Sequence, residues 1–315
     1  MILSITPNPS VDYLFEADTL CWDDANRVEM PRRRAGGQGI NLTRAVRVLG
    51  GDSVAIALFG GAAGNELKSM LAAEGTPFID VPIHADTRVF FGVRETSTGR
   101  SMLVNPRGPI LNDADRERLL RAVEAACAQH GPRWIVCSGS VPRGLGNDIY
   151  AQIAQIAHSC GARFVADCDG EALAQAVTAG CDLIAPNRHE AERLTCTAIK
   201  SLQQAIAAAR SLCNVADNVF LKLGGDGAIA ASKAGCWVAC GPALQHGSAV
   251  GAGDAFLAAA LVASEKGAPL EEALQGAVAA GTAVLLSRGS DLLTRNDYEN
   301  LLRAVTVTTV SSASL

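Results

Sequence analysis

Between Asp113 and Ala185 amphipathic helical stretches alternate with short apolar runs, and no other feature limits the fold so tightly. Helical spacing over Asp113–Gln129 precedes an apolar run at Trp134–Cys137, Asn147–His158 precedes Arg163–Ala166, and Glu171–Val177 precedes Asp182–Ala185. Strands joined through helices cannot pair as hairpins. The rhythm therefore predicts a parallel sheet with helices on both faces, an α/β fold. Ligands on such sheets bind beyond the carboxyl ends of the strands. Ile2–Thr6, Val54–Phe59 and Val219–Leu223 read as further buried strands, with Ala228–Ala231 returning after a turn. Leu42–Leu49 and Asn65–Glu74 read as helices, and Ala252–Lys266, Leu270–Leu286 and Arg295–Val305 close the fold. The tail Thr306–Leu315, rich in Ser, Thr and Val, is expected to fray.

A second set of strands is more polar. Tyr13–Phe15 and Arg27–Glu29 read as short strands around an acidic turn, and Thr87–Arg94 and Ser101–Asn105 as a hairpin about Ser97-Thr98-Gly99. Arg88 and Arg94 are an even number of residues apart, which puts both side chains on one face of a strand. They suit either a substrate phosphate or a charged outer surface.

At 315 residues the chain can form one large α/β domain or two smaller ones. Hydrophobic residues make up 49% and charged ones 19%, which excludes wholesale disorder, and the net charge of −5 argues against a nucleic-acid surface. Arg32-Arg33-Arg34 is either a local phosphate contact or a solvated turn. The ten cysteines are scattered, without C-x-x-C, and Cys236 and Cys240 lack partners at zinc-site spacing. They read as small buried apolar residues in a reducing compartment. Met1-Ile-Leu-Ser-Ile-Thr6 has no basic segment before it and runs into Pro7, so it reads as a first strand and not a signal peptide. No apolar segment reaches membrane-spanning length. A soluble, cytoplasmic protein that binds neither membrane nor nucleic acid is expected.

The chemistry concentrates in Ser248-Ala-Val-Gly-Ala-Gly-Asp254-Ala-Phe256. Glycines at the mouth of a helix leave the first backbone N–H groups bare, and the helix dipole makes them an anion site. A carboxylate inside that positive pocket is expected to stay ionised and to reach the proton of a hydroxyl attacking the anion. The alternative is a loop with a capping aspartate. Similar pairs of readings hold elsewhere. Asp12, beyond the first strand, is a ligand for hydroxyls or a turn cap. Ala35-Gly36-Gly37-Gln38-Gly39-Ile40-Asn41 admits a ligand to the backbone or simply enters a helix, and Leu42 breaks the G-x-G-x-x-G register of a dinucleotide loop. Asn187 and Glu190, three apart at a helix start, could hold Mg²⁺ through water or form a capping box. Gly224-Gly225-Asp226-Gly227 could receive a nucleotide base or be a plain turn.

Taken in order, Asn8-Pro9 with Asp12, Gly36-Gly37-x-Gly39-Ile40-Asn41, Thr87-Arg88, Ser138-Gly139-Ser140, Pro186-Asn187-x-x-Glu190 and Val250-Gly-Ala-Gly-Asp254 resemble the ribokinase-like (PfkB) carbohydrate kinases over nearly the whole chain. The likeness is greatest to the phosphofructokinase, 1-phosphofructokinase and tagatose-6-phosphate kinase branch. The resemblance implies a ribokinase-like domain over residues 1–305. Its central sheet would be mostly parallel with helices on both faces, and lid segments 13–34 and 88–105 would form a small β-sheet that often pairs two subunits. It implies ATP-dependent phosphorylation of a phosphorylated ketohexose to a bisphosphate, with an unphosphorylated sugar or a nucleoside as the alternative acceptor. By the same resemblance Asp254 is the base, and the amides of Gly251, Ala252 and Gly253 form the anion hole. Asp12, Gly37, Asn41 and Ser140 hold sugar hydroxyls, and Arg88 holds the substrate phosphate. Asn187 and Glu190 organise Mg²⁺, Lys222, Gly224, Gly225 and Gly227 line the ATP, and Ser248, Val250, Val284, Ser287 and Gly289 surround a K⁺ ion. The chain departs from the pattern at Gln38, where relatives carry Lys, at Phe90, where they carry Asn, and at Ala185, where many carry Lys.

Overall fold

Alternate residues of the central strands serve opposite cores, as a sheet covered on both faces requires. The computed structural model describes residues 1–242, 250–286 and 293–310. In it β1 (Ile2–Thr6) sends Leu3 and Ile5 into one core and Ile2 into the other. Likewise β8 (Trp134–Ser138) splits Ile135 and Cys137 from Trp134 and Val136. The ten-stranded sheet runs β14-β13-β12-β11-β10-β9-β8-β1-β4-β5. Its other parallel members are β4 (Ser53–Phe59), β5 (Phe78–Pro82), β9 (Arg163–Asp167), β10 (Cys181–Ile184) and β11 (Ala216–Lys222). An antiparallel edge follows: β12 (Ala228–Ser232), β13 (Gly235–Cys240) and β14 (Thr306–Thr309).

Helices α3 (Asp113–His130), α4 (Ile149–Ser159), α5 (Gly170–Ala179) and α7 (Leu202–Leu212) cover the first face. Helices α1 (Gln38–Val48), α8 (Ala252–Glu265), α9 (Leu270–Leu286) and α10 (Arg295–Leu302) cover the second. The chain builds outward from β1 to β4 and β5, then returns to build the other way through β8, β9, β10 and β11. The order thus reverses between β1 and β8, the position at which open α/β sheets bind ligands. Asn8, beyond β1, donates to Ser140 Oγ, beyond β8, across that point at 2.9 Å.

A separate four-stranded sheet, β3-β2-β6-β7, is built from β2 (Ser10–Ala17), β3 (Arg32–Gly36), β6 (Arg88–Glu95) and β7 (Ser101–Val104). Val11 and Ala35 of this lid pack with Leu67 and Leu71 of α2 (Gly61–Ala73) in a third core. Tyr13 on β2 also donates to Glu66 of α2 at 3.3 Å.

Four local expectations need correction. Arg27–Glu29 is not a strand; the second lid strand is β3, which pairs with β2 from Ser10 opposite Gly36 to Leu14 opposite Arg32. Helix α1 begins at Gln38 because Gly37, at φ 132°, turns the chain directly into it. The C-terminal helix stops at Leu302. The supposed tail instead adds β14 to the open edge of β13, with Cys240 opposite Thr306 and Trp237 opposite Thr309. An unpaired strand edge offers that ladder to any β-branched segment within reach. Among the described residues no helix is long and apolar enough to cross a membrane.

Candidate active site

The first turn of α8 sits where the two halves of the sheet meet. Gly251, the residue before the helix, has φ 85°, a left-handed conformation that glycine adopts without strain. The N–H groups of Gly251, Ala252 and Gly253 open the helix without intrahelical acceptors and point outward as donors. Asp254, third in the helix, is 5% exposed. Its Oδ2 accepts from Asn41 Nδ2, on α1, at 2.9 Å. Asn41 Oδ1 accepts in turn from Arg44 at 3.2 Å, which fixes the amide with its nitrogen toward the acid.

The expectation that Asp254 stays ionised fails. Burial raises its carboxyl from 3.8 to about 7, Asp167 adds to the rise, and the Asn41 hydrogen bond and the charges of Lys222 and Arg34 only partly oppose it. Near neutral pH the group therefore exchanges its proton readily, the range suited to a general base.

On one side, Gly36 lies so close under Asp12 that a Cβ there would sit 2.3 Å from Asp12 Oδ1. Asp12 Oδ1 accepts from Ser10 Oγ at 2.5 Å, and its Oδ2 lies 3.4 Å from Arg34 Nη2. Gly37 would place a Cβ 2.6 Å from Thr6 Cγ2, so the backbone passes close over the end of β1. Gln38 rests against Gly139, whose Cβ would fall 3.2 Å from Gln38 Oε1. Arg88 is engaged with the chain itself: Nε and Nη2 donate to Asn8 O at 3.2 and 2.9 Å, and Nη1 donates to Pro106 O at 3.0 Å and to Asn105 Oδ1. Thr6 Oγ1, Asn8 Oδ1, Ser138 Oγ and Arg34 Nε are buried without hydrogen-bond partners around this point. Unsatisfied buried polar atoms are rare, and their gathering here marks a place made for a polar ligand.

On the other side, Lys222 ends β11 and its Nζ donates to Asp167 Oδ1 at 3.1 Å. A Cβ on Gly253 would lie 3.5 Å from that Nζ, so the ammonium stands beside the mouth of α8. Burial alone would lower Lys222, but Asp167 and Glu190 outweigh it and hold the ammonium above its usual value. Asn187 and Glu190 form the capping box of α6 (Arg188–Thr195). Asn187 Oδ1 accepts from Glu190 N at 3.0 Å, and Glu190 Oε2 accepts from Asn187 N at 2.7 Å. Burial pushes the Glu190 carboxyl up. Gly224 and Gly225 stand in a short 3₁₀ turn, Gly224–Asp226, with nothing within 4 Å of a Cβ on either. Gly227, at φ 92°, would drive a Cβ to 2.1 Å from Ala239 O, so it serves the turn.

The structure thus brings Asp12, Gly37, Asn41 and Ser140 to one side of α8 and Asn187, Glu190 and Lys222 to the other, joined by the Asn41–Asp254 and Lys222–Gly253 contacts. Ser248, Ser287 and Gly289 lie outside the described residues; Val250 and Val284 lie at the turn before α8 and in α9. Sequence reasoning missed one site residue, Asp167, and took Arg34 only as part of a triplet suited to a local phosphate contact or a solvated turn. Asp167 ends β9, and its signal was an acid directly after an apolar run. Arg34 ends an arginine triplet just before the glycines. A hollow of about 540 Å³ among His158, Cys181 and Asp217 opens at the opposite ends of β10 and β11, away from this chemistry.

A divalent ion held here would draw on the Glu190 carboxylate, on which the Asp167 charge acts; among the described residues no three His, Cys, Asp or Glu side chains converge. Such a pair suits Mg²⁺ that keeps most of its waters, and does not make an all-protein cage.

Comparison with known proteins places the chain in a family. The model of the pfkB family carbohydrate kinases matches residues 8–296. The chain is 32% identical over 309 residues to 1-phosphofructokinase of Bacillus subtilis, covering 98% of this chain and 99% of that one. It is 32% identical over 300 residues to ATP-dependent 6-phosphofructokinase isozyme 2 of Mycobacterium tuberculosis, covering 95% and 88%. The crystal structure of phosphofructokinase-2 from Escherichia coli in complex with potassium superposes with a TM-score of 0.90 at 30% identity, covering 96% of this chain and 98% of that one. The same enzyme has been crystallised with fructose-6-phosphate and in a tetrameric inhibited form. The arrangement about Asp254 and the match over residues 8–296 lead to one assignment: the chain belongs to the pfkB family of carbohydrate kinases.

Proposed function

We propose that this kinase transfers the γ-phosphate of ATP to a hydroxyl of a phosphorylated ketohexose, fructose-6-phosphate, fructose-1-phosphate or tagatose-6-phosphate, giving a bisphosphate. One observation carries the reading: a buried carboxylate with a pKa of about 7 at the first turn of α8, beside three outward N–H groups and the Lys222 ammonium. The phosphofructokinase relatives support the acceptor class.

In this reading Asp254 takes the proton of the acceptor hydroxyl as it attacks. The amides of Gly251, Ala252 and Gly253 receive the charge that develops on the transferred phosphoryl group. Asn41 holds Asp254 in line and, with Asp12, Gly37 and Ser140, orients the sugar. Lys222 offsets the phosphate charge from the nucleotide side, where Gly224 and Gly225 leave room for the base and ribose. Glu190 and Asp167, with Asn187 behind Glu190, would hold Mg²⁺ through water. When bound, that ion neutralises charge on the phosphate oxygens. Potassium belongs to the same proposal, on the ground of the Escherichia coli relative crystallised with that ion. The lid shuts out water, which would otherwise accept the phosphoryl group. Phe91, Leu103 and Val104, exposed on the lid, support pairing of two subunits there. A cytoplasmic setting goes with these substrates.

The engagement of Arg88 with Asn8, Asn105 and Pro106 favours a second reading, an unphosphorylated sugar or nucleoside as acceptor. A panel of phosphosugars, free sugars and nucleosides assayed for ATP consumption separates the two, with the product position fixed by phosphorus NMR. A bisphosphate product is expected. ATP consumption with free sugars alone overturns the first reading, and none with any acceptor overturns both.

A further inference from the structure

Two arginines flank Asp12 on one face of the lid. Arg34 lies directly opposite Asp12 in the β2–β3 ladder, and Arg88 lies opposite Ser10 in the β2–β6 ladder. Residues paired across a ladder project from the same face, and Ser10 and Asp12, two apart, share it. The charges agree with this placement, since the Asp12 carboxylate acts on Arg88 and pairs with Arg34.

The two guanidinium groups are used differently. Arg88 spends Nε, Nη1 and Nη2 on the carbonyls of Asn8 and Pro106 and on Asn105, which fastens the loop at Asn105–Pro106 to the end of β1. Among the described residues Arg34 has one polar side-chain contact, Nη2 to Asp12 Oδ2 at 3.4 Å, longer than a charge-assisted hydrogen bond normally runs. Its Nε is buried and has no acceptor, although the side chain is only 14% exposed. A guanidinium carries five donors in a fixed plane. On Arg34 the Nε donor is enclosed with nothing to receive it, and Nη2 has only the long contact to Asp12. The charge of Arg34 also reaches Asp254 and lowers its pKa. The group therefore stands within the span of a small ligand that touches both Asp12 and the base. Arg44 adds to the positive field, and burial lowers its own pKa, with the charge of Arg34 contributing.

We propose that Arg34 is a specificity-determining residue that binds an anionic group of the acceptor, a phosphate ester, through donors the folded chain leaves unfilled. The inference rests on the kinase reading above and assigns its acceptor phosphate to a residue other than Arg88. A planar fork of N–H donors matches the oxygens of a phosphate, and a lysine cannot reproduce that fit. Gln38, which lies against Gly139, is neutral and supplies no cation of its own. The terminal phosphate of ATP has the same chemistry, so the test must tell acceptor from donor.

The experiment compares wild type with Arg34→Gln and Arg34→Lys on the phosphosugar that wild type turns over best, on its unphosphorylated counterpart and on ATP. Arg34→Gln should raise KM for the phosphosugar about 30-fold, in line with loss of a charge-assisted hydrogen bond. Its effect on the free sugar and on KM for ATP should be several-fold smaller, and Arg34→Lys should restore only part of the loss. Inorganic phosphate should compete with the phosphosugar in wild type and more weakly in Arg34→Gln. If Arg34→Gln does not fold, Arg34→Lys and phosphate competition in wild type decide the matter. Equal effects on phosphorylated and free sugar would mean that Arg34 only steadies Asp12. A rise confined to KM for ATP would assign it to the donor. Either result overturns the proposal, as does a wild-type enzyme that phosphorylates free sugars alone. A wild-type protein that binds ATP but turns over no acceptor overturns the kinase reading itself, before any variant is compared.

Discussion

Asn41 and Asp254 are 213 positions apart in the chain and 2.9 Å apart in the fold, amide nitrogen to carboxylate oxygen. The contact ties the first helix after the glycine stretch to the helix that opens on the outward N–H groups. It makes the position of the acid a property of the whole sheet. Each residue also has a second constraint: Arg44 on the Asn41 oxygen, and burial on Asp254.

Replacing Asp254 by Asn keeps the shape and the Asn41 hydrogen bond but removes the proton acceptor. Turnover should fall by about 10³-fold, within the usual worth of a general base, while nucleotide affinity stays near wild type. A coupled ATP assay together with a fluorescence titration of nucleotide checks both. Near-wild-type turnover would dismiss Asp254 as the base.

The pKa of Asp254 sets a pH dependence with a definite sign. The carboxyl must be ionised to accept a proton, so kcat/KM should fall about tenfold per pH unit below about 7. Stability runs the other way. Below 3.8 folded and unfolded chains both hold the proton. Between 3.8 and about 7 only the folded chain does, so stability from this group is lost as pH rises through that window. The loss is about 4 kcal/mol at most. Thermal melts of wild type and Asp254→Asn should coincide near the acid end and separate by pH 8, with the variant the more stable. Parallel curves across the range would contradict the buried, proton-holding acid.

Lys222 and Asp167 are a buried pair, and removing one partner leaves the other uncompensated. Lys222→Met should cost about 3 kcal/mol in urea unfolding, and adding Asp167→Asn should recover more than half of it. Additive losses in the double variant would show that the pair is not coupled.

Gly36 gives Asp12 its place, because a Cβ would occupy the position of the carboxylate. Gly36→Ala should therefore raise KM for the sugar about tenfold by turning Asp12 aside, with kcat and the melting temperature far less affected. Steady-state kinetics with a melt of the same sample decide it.

Glu190 caps α6 and faces the Lys222–Asp167 pair, two roles that separate on substitution. Glu190→Gln preserves an acceptor for Asn187 N and should cost under about 1 kcal/mol. It should nevertheless raise the Mg²⁺ concentration for half-maximal activity about tenfold, since it removes one of two hard oxygen donors. An unchanged Mg²⁺ titration would leave Glu190 a cap and nothing more.

Much of this arrangement was legible in the sequence where a residue's neighbours along the chain decide its state. Ile2–Thr6 and Leu270–Leu286 form the elements their apolar spacing indicates, over the same residues. Where distant pairing decides, the reading failed. Arg32, Arg33 and Arg34 read as a local phosphate contact or a solvated turn, and neither reading foresees that Leu14, Tyr13 and Asp12 pair with them in a sheet. Thr306–Thr309 looks frayed until β13 is known to offer an open edge. Asp167 was passed over because an acid after a strand is as often a cap, and Asp169 is in fact the cap of α5. The glycines before Asp254 announce positive donors, but the burial that raises its pKa comes from α1 and the sheet. The Asn187–Glu190 spacing was read both as a cap and as a metal site, and the capping box is present in full.

Every residue of α8 from Asp254 to Val262 is enclosed by the interior. A carboxylate mounted on such a beam cannot drift without the whole building shifting, so a substitution that displaces Asp254 must also disturb the core. Arg34, to which acceptor recognition is ascribed above, stands apart from that beam, on the outlying four-stranded sheet.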